Sequence, residues 1–328
     1  MKLPGRGLFA RTSVRVACAV VATAVLGFTV WAAGARAVVA GLGASIHALP
    51  VLAVLEALML ACSTLALRAL YGESAALPSP RQWVQAAAAG YAVGLIVPMG
   101  RSSAEATRAI LLGRTVGGAR AAVAAVQMQG VTLLSNALFV VPATLAALVL
   151  LGPGTTPLLI FANGLVAAVV GAGILVLRQR AQPGRWLGAT IRRLHRFGVA
   201  FDATGGASGR DFLRAGAWEC VARLAQAVQC WVALGAIGQS AGPLRALVTR
   251  GVLMVGSALG DVLPAQLGAT EATLVVGAQA LALTAASAAS LALLIHGAQL
   301  ALGLVCTPVA LALPADIQPA PPGVEVSP

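Results

Sequence analysis

Six stretches of this chain, about Val14–Ala33, Ile46–Ala66, Ala121–Leu151, Leu158–Leu177, Ala215–Ile237 and Ala288–Leu311, are apolar over lengths that reach across a bilayer. A helix needs about 20 such residues for the crossing. In lipid every backbone N–H and C=O must be satisfied inside the segment, so a helix is the form these runs take. An all-α, polytopic integral membrane protein is the expectation. A mean hydropathy of +0.90 and a hydrophobic content of 59% agree. Aromatics make up only 4%, and the Ala and Gly that replace them suit close helix approach where lipid supplies no hydrophobic drive.

The charge follows the spans. The net +12 comes from arginines beside apolar runs, the pattern that sets topology, so it is no argument for nucleic acid. Lys2, Arg6, Arg11 and Arg15 place the N-terminus in the cytoplasm ahead of a retained first span rather than a cleaved signal. The Pro-bearing loop before Trp83 is cytoplasmic, with Trp83 at headgroup level. So is the loop of about 178–212, whose arginines include Arg178, Arg185, Arg192, Arg193 and Arg196. Its RWLGATIRRLHRF stretch has the composition of a basic amphipathic helix, but topology alone accounts for the charge. The tail 314–328 is Pro-rich and expected to be disordered in the cytoplasm. Arg245 and Arg250 fall on the external side, an exception to the positive-inside pattern.

Two further stretches are too short to span and carry proline. AVGLIVPMGRSSAEATRA, from Ala92, returns as ALGDVLPAQLGATEATLV, from Ala258: Pro98 recurs as Pro264 and Glu105 as Glu271, each at an offset of 166. Glutamate occurs only six times, so a glutamate seven residues after a proline, twice, marks a duplicated unit. Each stretch reads as a re-entrant helical hairpin, turning at Pro98 in one copy and at Pro264 to Gly268 in the other, whose arms run about Leu244–Asp261 and Ala269–Thr284. Ser102 or Ser103 would cap the second arm, with Glu105 in its first turn where the helix dipole favours an acid. Three crossings separate the hairpins, so the copies enter from opposite faces. The expected architecture is about six full spans plus two hairpins in an inverted repeat, copy one about 44–150 and copy two about 213–313.

An uncompensated charge at the bilayer centre costs roughly 2.5–3.5 kcal/mol, yet Glu56, Glu105, Glu219, Arg223, Asp261 and Glu271 fall at depth, with Arg101 and Arg108 close by and His296 in the last span. Glu219 and Arg223 stand four apart and face one another on a helix. Such a set implies either buried ion pairs or a polar cavity, and half-helices meeting at the midplane are how transporters build a substrate site. In the functional reading Arg101, joined by Arg108 or Arg223, receives a lipid phosphate, while Glu105 and Glu271 pair with these arginines, bind a cation or proton, or meet a cationic headgroup. His296 is a candidate proton relay. The cysteines lack metal-ligand spacing, no motif of a soluble enzyme or nucleotide site is present, and no metal or cofactor is expected.

Pro98-x6-Glu105 and Pro264-x3-Gly268-x2-Glu271, among about eight hydrophobic elements, resemble the lysylphosphatidylglycerol synthase transmembrane-region, or flippase-like, family. The resemblance runs from about Arg11 to Leu313. It departs in Ser102, which stands where the second copy has Gly268, and in a last span with His296 instead of arginine. The resemblance implies movement or presentation of a lipid in a bacterial inner membrane with both termini cytoplasmic. That lipid would be an anionic or aminoacylated phospholipid, or a polyprenyl or hopanoid lipid. It also implies no enzyme activity without a separate transferase domain. A homo-oligomer or lipid-synthesis enzymes are possible partners. A membrane-embedded lipid-modifying or glycosyl transferase, or a non-catalytic subunit of a lipid-modifying complex, is the alternative.

Overall fold

The computed structural model describes residues 12–181, 183–191 and 195–313, so Lys2, Arg6, Arg11, Arg192, Arg193 and the 314–328 tail lie outside it. Every regular element among the described residues is helical. In order they are α1 Thr12–Ala33, α2 Ala35–Ser45, α3 Leu49–Tyr71, α4 Pro80–Ile96, α5 Gly100–Val116, α6 Gly118–Leu151 and α7 Thr155–Arg180. There follow α8 Pro183–Thr190, α9 His195–Ala203, α10 Gly209–Ala236, α11 Pro243–Leu259, α12 Ala269–Val276 and α13 Ala285–Ala312. Among the described residues four stretches are long and apolar enough to cross a membrane: Ala35–Ala76, Gly118–Leu151, Thr155–Arg180 and Ala285–Ala312. The protein is a multi-pass membrane protein. Two expected spans are not among the four. They are the region of α1 and the charge-bearing α10, which holds Glu219 and Arg223.

The centre of the molecule is α3 packed on α10. Gln229 of α10 donates to the Leu52 carbonyl, Met59 and Cys62 pack with Ala222 and Ala225, and Ala66 to Leu70 share a cluster with Ala215. The two helices therefore run antiparallel. Around them the packing maps on to itself when α3 exchanges with α10, α4 with α11, α5 with α12 and α6 with α13: α4 packs on α13 as α11 does on α6, and α3 packs on α13 as α10 does on α6.

Each proline-bearing stretch folds back on itself, and the two are built alike. A Cβ on Gly90 would meet Arg108 and the Ala104 carbonyl, and one on Gly94 would meet the Gly100 carbonyl at 3.1 Å. In the second hairpin Gly256 faces Thr270 and Thr273, and Gly260 faces Gln266 and Ala269. Gly90 and Gly256, and Gly94 and Gly260, are themselves 166 residues apart. Small residues let the arms touch backbone to backbone.

Several expectations change. Trp83 is buried, in the first turn of α4 after the Ser79 and Gln82 capping box, with its ring edge-on to Tyr71, centroids 5.3 Å apart, in the cluster that includes Ala86 and Leu112. Neither Ser102 nor Ser103 caps α5: the helix begins at Gly100 after Met99 in the left-handed region, and the Ser103 hydroxyl donates to the Pro98 carbonyl, closing the turn. The second arm of hairpin two ends at Val276 instead of Thr284. There Leu281 and Leu283 enter the core, and Arg245 holds the Leu281 and Ala282 carbonyls. The described residues of the basic loop include two short helices, α8 and α9, clamped where Asp202 accepts from the Gly184 and Arg185 amides. α6 runs continuously through Pro142.

Candidate functional site

A polar cavity of about 220 Å³ lies between α3, α5, α6 and α10, with Tyr91 of α4 on its wall. Its charged lining is Glu56, Glu105 and Glu219 with Arg101, Arg108 and Arg223. A second void of about 180 Å³ shares Glu56, Tyr91, Arg101 and Arg108 with it and reaches Leu263 and Gln266 in the turn of hairpin two. The tips of both hairpins thus meet at one chamber.

Most of these charges are held locally. Arg108 donates to Glu105 Oε1 at 2.8 Å, an i,i+3 pair on α5, and to Ser63 Oγ at 3.3 Å. Arg223 donates to Glu219 Oε2 at 2.7 Å, an i,i+4 pair on α10, and to Gln226 Oε1 at 2.9 Å. Glu56 has no arginine; its two oxygens accept from Tyr91 at 3.0 Å and Gln229 at 3.1 Å. Buried charges persist where pairing and hydrogen bonds offset their desolvation, and here each acid has its donor. Two carboxylate oxygens, Glu105 Oε2 and Glu219 Oε1, are buried without a hydrogen-bond partner.

Arg101 differs. It lines both voids and makes no hydrogen bond to any described residue. Its charged surroundings are Arg223, Asp261 and Glu219. A guanidinium of this kind offers forked donors to an anion.

The second-copy acid does other work. Glu271 is fully buried and lines neither void. Its Oε2 accepts from the Gly268 amide at 2.8 Å and the Thr270 hydroxyl at 3.0 Å, and its Oε1 meets His296 Nδ1 at 2.5 Å. Gly268 has φ 83°, and a Cβ there would approach Val25 to 2.9 Å. Glu271 therefore fastens the start of α12 to α13, and does not pair with Arg101, Arg108 or Arg223. The difference from Glu105 is one of register: α5 starts a turn earlier relative to its proline than α12 does, which leaves Glu105 beyond its first turn, beside Arg108. Asp261 sits in the turn after α11, partly exposed, near Arg101 but not among the residues that line the cavity. Pro98 is buried at the tip of hairpin one, and Pro264 opens a short 3-10 turn through Gln266.

Sequence reasoning missed several residues at the site: Ser63, Tyr91, Gln129, Thr132, Gln226 and Gln229. Their signal is a polar side chain inside an apolar run, weaker than a charge but of the same kind. Arg250, read only as an external-side exception to the charge pattern, lies buried within α11, and its Nε has no partner among the described residues.

The lysylphosphatidylglycerol synthase TM region matches residues 14–306, nearly the whole described bundle, hairpins and chamber included. The chain belongs to this family. Membership gives the molecule a function connected with membrane lipids, and the match covers a transmembrane region only. No curated protein and no solved structure matches the chain.

Proposed function

We propose that this member of the lysylphosphatidylglycerol synthase transmembrane-region family moves or presents a phosphate-bearing membrane lipid, its headgroup passing through the chamber between the hairpin tips. The observation that carries the reading is Arg101, a cation facing both voids with no hydrogen bond to any described residue, beside two arginines already committed to carboxylates. A lipid phosphate supplies the missing acceptor. In this reading the two repeats, about 44–150 and 213–313, carry hairpins that re-enter the bilayer from opposite faces of a bacterial cytoplasmic membrane, with both chain ends inside. Glu105, Arg108, Glu219 and Arg223 form the walls that keep the chamber polar, and Glu56 with Tyr91 shapes its floor. Glu271, His296, Pro264 and Gly268 hold the second hairpin in place.

The test is translocation of fluorescent phosphatidylglycerol in vesicles containing the purified protein, read by external quenching. Arg101→Gln lowers the rate about tenfold or more, since a hydrogen bond to a charged group contributes about 1.5–3 kcal/mol. Thermal stability stays as it was, because Arg101 holds no structural bond. A full rate in this variant overturns the assignment of the phosphate to Arg101.

A further inference from the structure

A lipid headgroup can cross a closed bundle only if the wall has a slot through which its hydrocarbon chains stay in the bilayer. One face of the molecule has such a slot. Between α5 and α6 runs a void of about 610 Å³, within the roughly 300–1,000 Å³ range of ligand sites. One helical stripe of small or apolar residues from each helix lines it, Ala106, Ala109 and Ile110 on α5 facing Ala122, Ala125 and Val126 on α6. Phe197 of α9 closes one end beside Arg114, and Ser102 stands at the other.

A furrow of small residues on a lipid-facing helix pair is commonplace, and three observations set this one apart. Glu105 and Gln129 line both the furrow and the polar chamber, so these two side chains form the wall common to the two. Glu105 is 9% exposed, and its Oε2 is one of the buried oxygens without a partner. The corresponding face of the second copy is occupied: α1 packs along α12, α13 and the turn at Pro264, with Val25 and Ala22 against Gly268. The duplicated bundle therefore has one side stoppered and the other free.

We propose that the α5/α6 furrow holds an acyl chain of the transported lipid, with Glu105 and Gln129 as the sill over which the headgroup passes into the chamber. This inference rests on the lipid-handling reading above and adds its route. Polar side chains at the sill suit the passage of a headgroup, whereas the larger apolar groove of α3, α4 and α13, about 710 Å³, meets the chamber only at Leu60.

The experiment uses the full chain in phosphatidylcholine vesicles containing phosphatidylglycerol with a diazirine in mid-chain, irradiated and mapped by peptide mass spectrometry. Adducts concentrate on residues 106–113 and 118–129, above the level on the lipid-facing surface of α7 around Leu158, Leu165 and Val169. Ala106→Phe with Ala125→Phe, which fills the furrow, lowers them to the α7 level. Wild-type labelling no higher than α7, or concentrated in the α3/α4/α13 groove, overturns the proposal, and that comparison stands even if the filled variant fails to fold. Translocation with only background labelling removes the furrow and leaves the transport reading. Furrow labelling without translocation removes transport and leaves the furrow.

Discussion

Glu219 and Glu105 each have an arginine one turn further along their own helix, and this decides what replacing them does. Removing one partner of a buried pair leaves an uncompensated charge, at a cost of about 3–5 kcal/mol, whereas replacing both by apolar groups is near neutral. Glu219→Gln should therefore unfold at markedly lower temperature in detergent, and Glu219→Leu with Arg223→Met should recover most of the loss. A double variant as unstable as the single one would show that the two residues do not act as a unit. The pairs were legible in the sequence because spacing of three or four on a helix is enough to bring side chains together. The partner of Glu271 was not. Its bond to His296 joins two helices 25 residues apart, and no local spacing announces it. Arg250 was not read as an interior charge for a related reason: it was weighed only as an exception to the charge pattern of the loops, and its burial depends on what packs against α11.

The hairpins were found through their prolines and glutamates, but what holds their arms together is glycine. Thirty-seven glycines are present, and although Gly90 with Gly256 and Gly94 with Gly260 keep the 166-residue offset, only the arms in contact show what these glycines do. Gly94→Val should destabilise by about 1–3 kcal/mol, the usual cost of forcing bulk into a packed contact, since its Cβ would lie 3.1 Å from the Gly100 carbonyl. Gly173→Val on α7, where no atom lies within 4 Å, is the control and should change stability by no more than about 0.5 kcal/mol. Equal melting temperatures in the two variants would refute the role given to the hairpin contact. The failure to foresee where α12 stops has a comparable origin. Residues 277–284 are apolar enough to continue a helix, and only the pull of Leu281 and Leu283 into the core, with Arg245 on their carbonyls, makes them turn.

At the level of the whole molecule, all-helical character and membrane-length apolar runs were plain from composition and periodicity alone. The chamber was partly legible: charges at depth demanded a polar enclosure, but which of them face one another depends on how α3 and α10 cross. The antiparallel course of those two helices gives the duplication a direct test. Single cysteines at Ser102 and at Val262, which is 53% exposed in the turn of hairpin two, should react with an impermeant maleimide from opposite sides of sealed vesicles. Reaction of both from one side would end the account of opposed hairpins. The leading helix α1 has a consequence of its own. Lying against only one of two related halves, it breaks the equivalence that duplication created, and in the proposed route it leaves a lipid one doorway instead of two.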